Sequence, residues 1–274
     1  MAAVKTETKL FPALLHKYPY SGTLSTLLYN WPIFAGALVF IVVTLSTGML
    51  VASPWRWFFL LSGSGVLVLV GSILAATYFV YDWGSTREYD RLAELGEVAS
   101  ANVVVNITCG KLRGARGLLK LHRTGHYFLV DLYNPEKMND PALHRARQME
   151  PPLSPNRRIY QRTAQPNRLP LPHQWVDAIF CDFSLHEITG QADRDALFAE
   201  FARILKPGGR LLVAEHGRDW RNFLAFGPGV LTFLPASVWE AHFKKAGLQV
   251  THHERWRGLV HLWVVERPIR RKAE

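Results

Sequence analysis

The sequence predicts an open α/β sheet with helices on both faces, preceded by two helices that are long and apolar enough to cross a membrane. Three observations carry this. Residues 33–52 (IFAGALVFIVVTLSTGMLVA) and 57–81 (WFFLLSGSGVLVLVGSILAATYFVY) hold no charged side chain. From about residue 84 the composition turns charged, and beyond residue 101 short β-rich runs alternate with amphipathic segments. That alternation is the signature of a sheet whose ligands bind beyond the carboxyl ends of its strands.

Composition bounds the rest. A chain of 274 residues that is 49% hydrophobic buries a sizeable core, which excludes a disordered tail. The net charge of +10 calls for an anionic partner. No zinc finger, RNA-binding motif or aromatic-basic platform is present, so the expected partner is membrane lipid, with no nucleic acid. The two cysteines, Cys109 and Cys181, lie far apart without metal-ligand spacing, so neither a disulfide framework nor a metal site is expected, and the polar part suits a reducing compartment.

The two apolar runs are read as transmembrane helices, because roughly 20 such residues span a ~30 Å hydrocarbon core. A cleaved leader is not expected: the first run starts late, lacks a small-residue cleavage site and is followed by a second run. Tyr29, Trp31, Trp55, Trp57, Tyr81 and Trp83 mark the interfacial ends. The Ser53-Pro54-Trp55-Arg56 link forces a tight antiparallel hairpin, in which Gly36, Gly48, Gly63, Gly65 and Gly71 offer close backbone approach. Lys5, Lys9, Lys17, Arg87 and Arg91 flank the hairpin, whereas the turn holds only Arg56. The positive-inside rule then places both termini and the soluble domain in the cytoplasm, the protein being integral to a membrane of the bacterial inner type. The chain divides into a cytoplasmic segment (1–32), the hairpin (33–81), a linker helix (82–100), the α/β domain (101–267) and a basic tail (268–274).

Element by element, TREYDRLAELGEVAS forms a connecting helix interrupted at Gly96. NVVVNI is the first strand, followed by a basic helix and the strand YFLVDLY. Residues 134–156, with five prolines, read as a lid, an interaction loop or a disordered stretch. RIYQRT and VDAIFCD are strands, RDALFAEFARILK is a helix, RLLVAEH is a strand, and after another helix the strands LQVTHHER and LVHLWVVER close the sheet. The apolar RNFLAFGPGVLTFLP between them fits a lipophilic channel, a segment dipping into the bilayer surface, or an ordinary buried helix.

RILKPGGRLLVAEH, preceded by VDAIFCDFSLHEI, resembles the second half of a class I S-adenosylmethionine-dependent methyltransferase of the group that includes quinone and lipid methylases. The resemblance covers residues 101–267 and implies a Rossmann-like, seven-stranded sheet whose last strand is antiparallel, with Gly208-Gly209 turning the chain between helix and fifth strand. It also implies S-adenosyl-L-methionine as cofactor. The family's acidic and glycine-rich first motif falls on Asn106, Thr108, Gly110 and Leu112, of which only Gly110 keeps the family residue. The missing glycines would let the backbone pass close under the ribose and methionine part, and the missing carboxylate would balance the ammonium and sulfonium. Gly114 offers a substitute glycine. Lys111, Arg113 and Arg116 would then surround the loop, or else form the solvated face of a helix. Asp131, with Leu132 after it, matches the acidic residue that holds the ribose hydroxyls. Thr163 and Ala164 stand where the family has the Asp-Ala pair that meets adenine. Asp182 to His186 would floor the pocket, with His186 as the candidate catalytic residue beside Glu187; a stacking role for His186 is the alternative. Glu215-His216 ends strand five and reads as a solvated strand end, with a metal or acid-base pair as the alternative.

Methyl transfer is an in-line displacement that proximity can largely drive, so a missing dyad does not exclude an enzyme. Two functions follow. The first is a membrane-anchored methyltransferase acting on a lipophilic small-molecule acceptor such as a quinone, a lipid or a pigment. The second is a degenerate methyltransferase-like subunit, a pseudoenzyme with a structural or assembly role among other subunits of a respiratory or photosynthetic membrane complex; it is motivated by Asn106, Thr108 and Thr163. The enzyme is the reading carried forward. The hairpin makes one claim checkable at once: a thiol-reactive probe on the cytoplasmic side should not reach cysteines placed in the 53–56 turn, and added lysines there should strain or invert the topology.

Overall fold

The computed structural model describes residues 21–153 and 157–269. The expectations resting on Lys5, Lys9, Lys17 and most of the basic tail lie outside these residues. Helix α1 (Ser21–Tyr29) starts the described chain, and its first amides are bound by a distant carboxylate: Gly22 N and Thr23 N donate to the two oxygens of Asp82 at 2.9 and 2.7 Å. This satisfies helix-end amides that have no intrahelical partner. Helices α2 (Trp31–Leu50) and α3 (Trp55–Tyr81) follow, both long and apolar enough to cross a membrane. They pack as an antiparallel pair. A Cβ on Gly63 would stand 2.5 Å from Thr44 Oγ1, and one on Gly48 would stand 2.8 Å from the Leu60 side chain, so these two glycines set the interhelical distance. Gly36, Gly65 and Gly71 face no neighbour within 4 Å and do not.

Helix α4 (Glu88–Leu95) buries Leu92 and Ala93 against one face of the sheet. Then come β1 (Val103–Thr108), α5 (Arg113–Leu121), β2 (His126–Asp131), α6 (Pro141–Met149), β3 (Ile159–Thr163), β4 (Val176–Asp182), α7 (Gln191–Ile204), β5 (Leu205–His216), α8 (Trp220–Phe226), α9 (Ala236–Lys245), β6 (Gln249–Trp256) and β7 (Val260–Glu266). The strand order is β3-β2-β1-β4-β5-β7-β6, with β7 antiparallel to both neighbours. This is the seven-stranded Rossmann-like methyltransferase sheet, with helices on both faces. Odd and even positions of β1 divide between two apolar cores, Val103, Val105 and Ile107 on one side and Val104 on the other, so the strand is buried throughout.

Two local expectations change. Residues 134–156 are not all loop, because Asp140 accepts the Ala142 amide at 2.8 Å, Pro141 fits the first turn, and α6 results. At KPGG only Gly208 turns with positive φ, at +78°. Gly209 instead packs tightly against Lys206 backbone and the Val176 carbonyl, and β5 already begins at Leu205 with a register shift against β4.

The strand order reverses between β1 and β4, the switch point outside which α/β sheets bind ligands. The hairpin lies over that side. Gly63→Val should therefore lower stability by about 1–3 kcal/mol through overpacking, while Gly65→Val, with nothing to meet, should leave the thermal midpoint of the detergent-solubilised chain unchanged.

Candidate active site

Three cavities ring the carboxyl ends of the central strands. One of about 300 Å³ is lined by Thr108, Gly110, Asp131, Arg147 and Thr163. A second of about 210 Å³ is lined by Leu132, Gln165, Glu187 and Asp193. The third, about 280 Å³, lies between the sheet and the hairpin, bounded by Tyr29, Tyr81, Asp182, Phe183, His186 and His216.

The β1–α5 turn closes on itself. Thr108 Oγ1 accepts the Gly110 amide at 2.9 Å and donates to the Lys111 carbonyl at 3.0 Å, while Gly110 adopts a φ of +131° that suits glycine. The hydroxyl thus organises the loop in place of a glycine. Asn106 lies inside β1 opposite Leu129 and Phe180 and lines none of the three cavities. Asp131 ends β2, paired with Thr163 at the end of β3, and its carbonyl accepts the Ala164 amide at 3.0 Å. Its carboxylate is held by a residue that belongs to none of the sequence motifs. Arg147 Nη1, from α6, lies 2.8 and 3.1 Å from the two Asp131 oxygens and 3.0 Å from the Cys109 carbonyl. Its guanidinium stacks 3.9 Å over the Tyr133 ring, and its Cγ lies 2.2 Å from where a Cβ on Gly110 would be. The space above Gly110 belongs to Arg147.

The three cations of the turn do not form a solvated face. Lys111 Nζ binds Glu187 at 2.8 Å, Arg113 pairs with the fully buried Glu88, and Arg116 pairs with Glu150. Each neutralises a carboxylate that burial would otherwise make costly.

At the β4 end Gly114 admits Asp182, whose Oδ2 would stand 2.2 Å from a Cβ there. Asp182 Oδ1 is buried without a hydrogen-bond partner. Burial, and then the charge of Glu88, push the Asp182 carboxyl well above the usual carboxylate range. His186 follows in the turn Leu185–Glu187. Its Nδ1 lies 2.7 Å from Glu215 Oε2, and Glu215 Oε1 accepts the Leu185 amide at 2.8 Å. Glu215 is therefore not a solvated strand end: it is 1% exposed and fixes the imidazole. Burial opposes a charge on His186, but Glu215 and Glu187 outweigh it and raise the pKa to about 10. Burial likewise opposes Glu187, yet Lys111 and His186 lower its pKa.

His216, also buried, is the neutral counterpart. Nδ1 donates to the Leu259 carbonyl at 3.2 Å, which leaves Nε2 to accept the Tyr81 hydroxyl at 2.8 Å. Burial lowers its pKa to about 4. The ring stacks between Phe183 and Phe233, both centroids 4.9 Å away, so its two faces are covered and the three-ring stack borders the cavity. Among the described residues no cluster of three or more His, Cys, Asp or Glu could hold a metal ion.

Comparison with known proteins agrees with this geometry. Residues 105–213 match the family model described as a methyltransferase domain. A ubiquinone/menaquinone biosynthesis C-methyltransferase from Chromobacterium violaceum is 36% identical over 63 residues, 23% of this chain and 25% of the relative. Its counterpart from Bordetella parapertussis is 40% identical over 65 residues, 20% of this chain and 24% of the relative. The matched part spans about a quarter of the length of these relatives. The 27-O-demethylrifamycin SV methyltransferase of Amycolatopsis mediterranei is 25% identical over 174 residues, 60% of each chain. Among solved structures, a SAM-dependent methyltransferase from Aquifex aeolicus superposes with a TM-score of 0.51 at 16% identity, covering 72% of this chain and 95% of that one, a likeness of fold. Sheet order and the match over residues 105–213 together make this part of the chain similar to methyltransferase domains.

Proposed function

We infer that the protein is a membrane-anchored methyltransferase that takes a planar, lipophilic acceptor bearing an acidic hydroxyl, of the quinol class, into the cavity under the hairpin. The observation that carries this is the composition of that cavity. The stacked rings of Phe183, His216 and Phe233 line the cavity with Asp182 and with His186, which carries a proton, and Tyr29 and Tyr81 from the apolar helical region close the other side. The local likeness to quinone C-methyltransferases supports the same acceptor class.

The cofactor supplies an activated methyl group on a sulfonium, which becomes a neutral thioether when the acceptor attacks. The donor set suits it: Asp131 for a diol, Leu132 as an apolar floor, Thr163 and Gln165 beyond, and the orphaned Asp182 Oδ1 toward the acceptor cavity. The fit requires the Arg147 side chain to leave Asp131 and Gly110, a rotation open to a long flexible chain. With a pKa near 10, His186 at neutral pH is a donor and not a free base. As an imidazolium it stabilises the hydroxyl oxygen of an acceptor that enters already ionised, its proton lost to bulk water, and Glu215 holds the ring in place for this. His186 is thus assigned a catalytic role different from proton abstraction.

Arg147 lying across Asp131 also favours the second reading, a subunit whose site is closed for structural use. Calorimetry of S-adenosylmethionine and its demethylated product with the full chain decides between them. Binding should appear, Asp131→Ala should weaken it by about 1.5–3 kcal/mol as a charged hydrogen-bond acceptor is lost, and Arg147→Ala should tighten it. No binding even in Arg147→Ala would leave the structural reading.

The charge on His186 has its own signature. Its stabilising contribution is complete below the unfolded value of 6.5 and is lost as pH rises through about 10. The thermal midpoint should fall across that window, and less steeply in His186→Gln.

A further inference from the structure

Helix α8 and the turn Gly227–Thr232 expose a large apolar face. Trp220, Phe223 and Leu224, spaced to share one side of a helix, are 67%, 55% and 65% exposed, and Leu231 beyond them is 66% exposed. Single exposed apolar residues need no explanation, but four large ones in thirteen positions do. The opposite side is firmly anchored. Asn222 is fully buried and donates to the Leu259 carbonyl at 3.1 Å, Phe226 meets the His216 ring at 5.1 Å, and Asp219 caps the helix by accepting the Arg221 and Asn222 amides at 3.0 Å.

What lies beside this face identifies its partner. Ser72 Oγ on α3 is 3.0 and 3.2 Å from the Leu224 and Ala225 carbonyls, and Leu69 packs against Gly227. One turn along α3, Leu67 and Val68 are 52% and 71% exposed. The apolar face of α8 is therefore continuous with the bare apolar flank of α3. Arg218 and Arg221 edge it: Arg218 bonds the Phe233 and Leu231 carbonyls at 2.7 Å, and Arg221 lies 5.5 Å over the Trp220 ring. Aromatic and aliphatic residues on one side with arginines at the rim is the pattern of a helix lying in the membrane interface.

We propose that α8 and the Gly227–Thr232 turn sit half-immersed in the bilayer, with Trp220, Phe223, Leu224 and Leu231 at the acyl boundary and Arg218 and Arg221 against anionic headgroups. This rests on the reading of α2 and α3 as a membrane hairpin. The same segment lends Phe226, Thr232 and Phe233 to the acceptor cavity, where they meet Ile73 of α3 and Asn30 at the start of α2. The cavity is consequently bordered by the same segment that the proposal places at the bilayer surface.

Site-directed spin labelling separates this from the hairpin reading. Cys109 and Cys181 are both buried, so a nitroxide can be placed at Leu224→Cys, with Val68→Cys as the hairpin reference and Gln249→Cys as the aqueous reference. The full chain is reconstituted in phosphatidylcholine nanodiscs with and without phosphatidylglycerol, and collision rates with oxygen and with a water-soluble nickel chelate are compared. The oxygen-to-nickel ratio at 224 should exceed that at 249 several-fold and approach that at 68. Phosphatidylglycerol should raise it further, an increase lost in Arg218→Gln/Arg221→Gln. A lipid-like ratio at 68 with a water-like ratio at 224 overturns the proposal and leaves the hairpin standing. Water-like ratios at both positions overturn the two together.

Discussion

The Glu215 carboxylate at the end of β5 is the constraint around which the site is arranged. It is sealed from water and binds two groups of the adjoining turn, the Leu185 amide and the His186 ring. A buried carboxylate left unpaired costs several kcal/mol, so the imidazole is compelled to carry a proton. That proton in turn steadies Glu187, and Glu187 recruits Lys111 across from the β1–α5 turn. One negative charge in a dry position thus fixes the rotamer of the candidate catalytic group, its protonation state and the conformation of the loop opposite.

The same economy extends outward. Arg113 with Glu88, and Arg116 with Glu150, bind α5 to α4 and to the end of α6. Glu150 also accepts the Tyr29 hydroxyl at 3.0 Å, and Arg145 donates to the Tyr29 carbonyl at 2.5 Å. Helix α6, which carries Arg147, is therefore gripped on one side by helix α1 and on the other by Asp131. Electrostatic pairing joins the sheet, the lid-like helix and the root of the hairpin in one connected set.

Most of the fold was legible because its signals are local. Charge-free runs give the apolar helices, alternating runs give the strands, and the turn before RLLVAEH marks the fifth strand. The site was legible only where a motif sits at a strand end, as at Gly110, Asp131 and His186. Glu215 was misread because its meaning depends on the parallel register that sets Asp182 beside Ala214, a relation between strands thirty residues apart. That pairing was the available signal: a carboxylate one residue beyond Ala214 must lie level with the turn after Asp182. Arg147 lay in a stretch without periodicity, and the cations Lys111, Arg113 and Arg116 looked solvated because their partners are remote in sequence. Thr108, counted as a loss of glycine, turned out to tie the loop through its hydroxyl.

The Asp82 carboxylate that caps α1 has a wider meaning for how this protein can be handled. By fastening the start of α1, the helix that leads into the first apolar helix, to the exit of the second, it ties this end of the hairpin to the domain, with Tyr29, Asn30, Thr77 and Tyr81 built into a cavity wall. A fragment trimmed to begin after the second apolar helix would lose that wall, the support beneath α6 and the hydroxyl that orients His216. The two apolar helices are then structural ingredients of the cavity, and truncation would remove part of its wall.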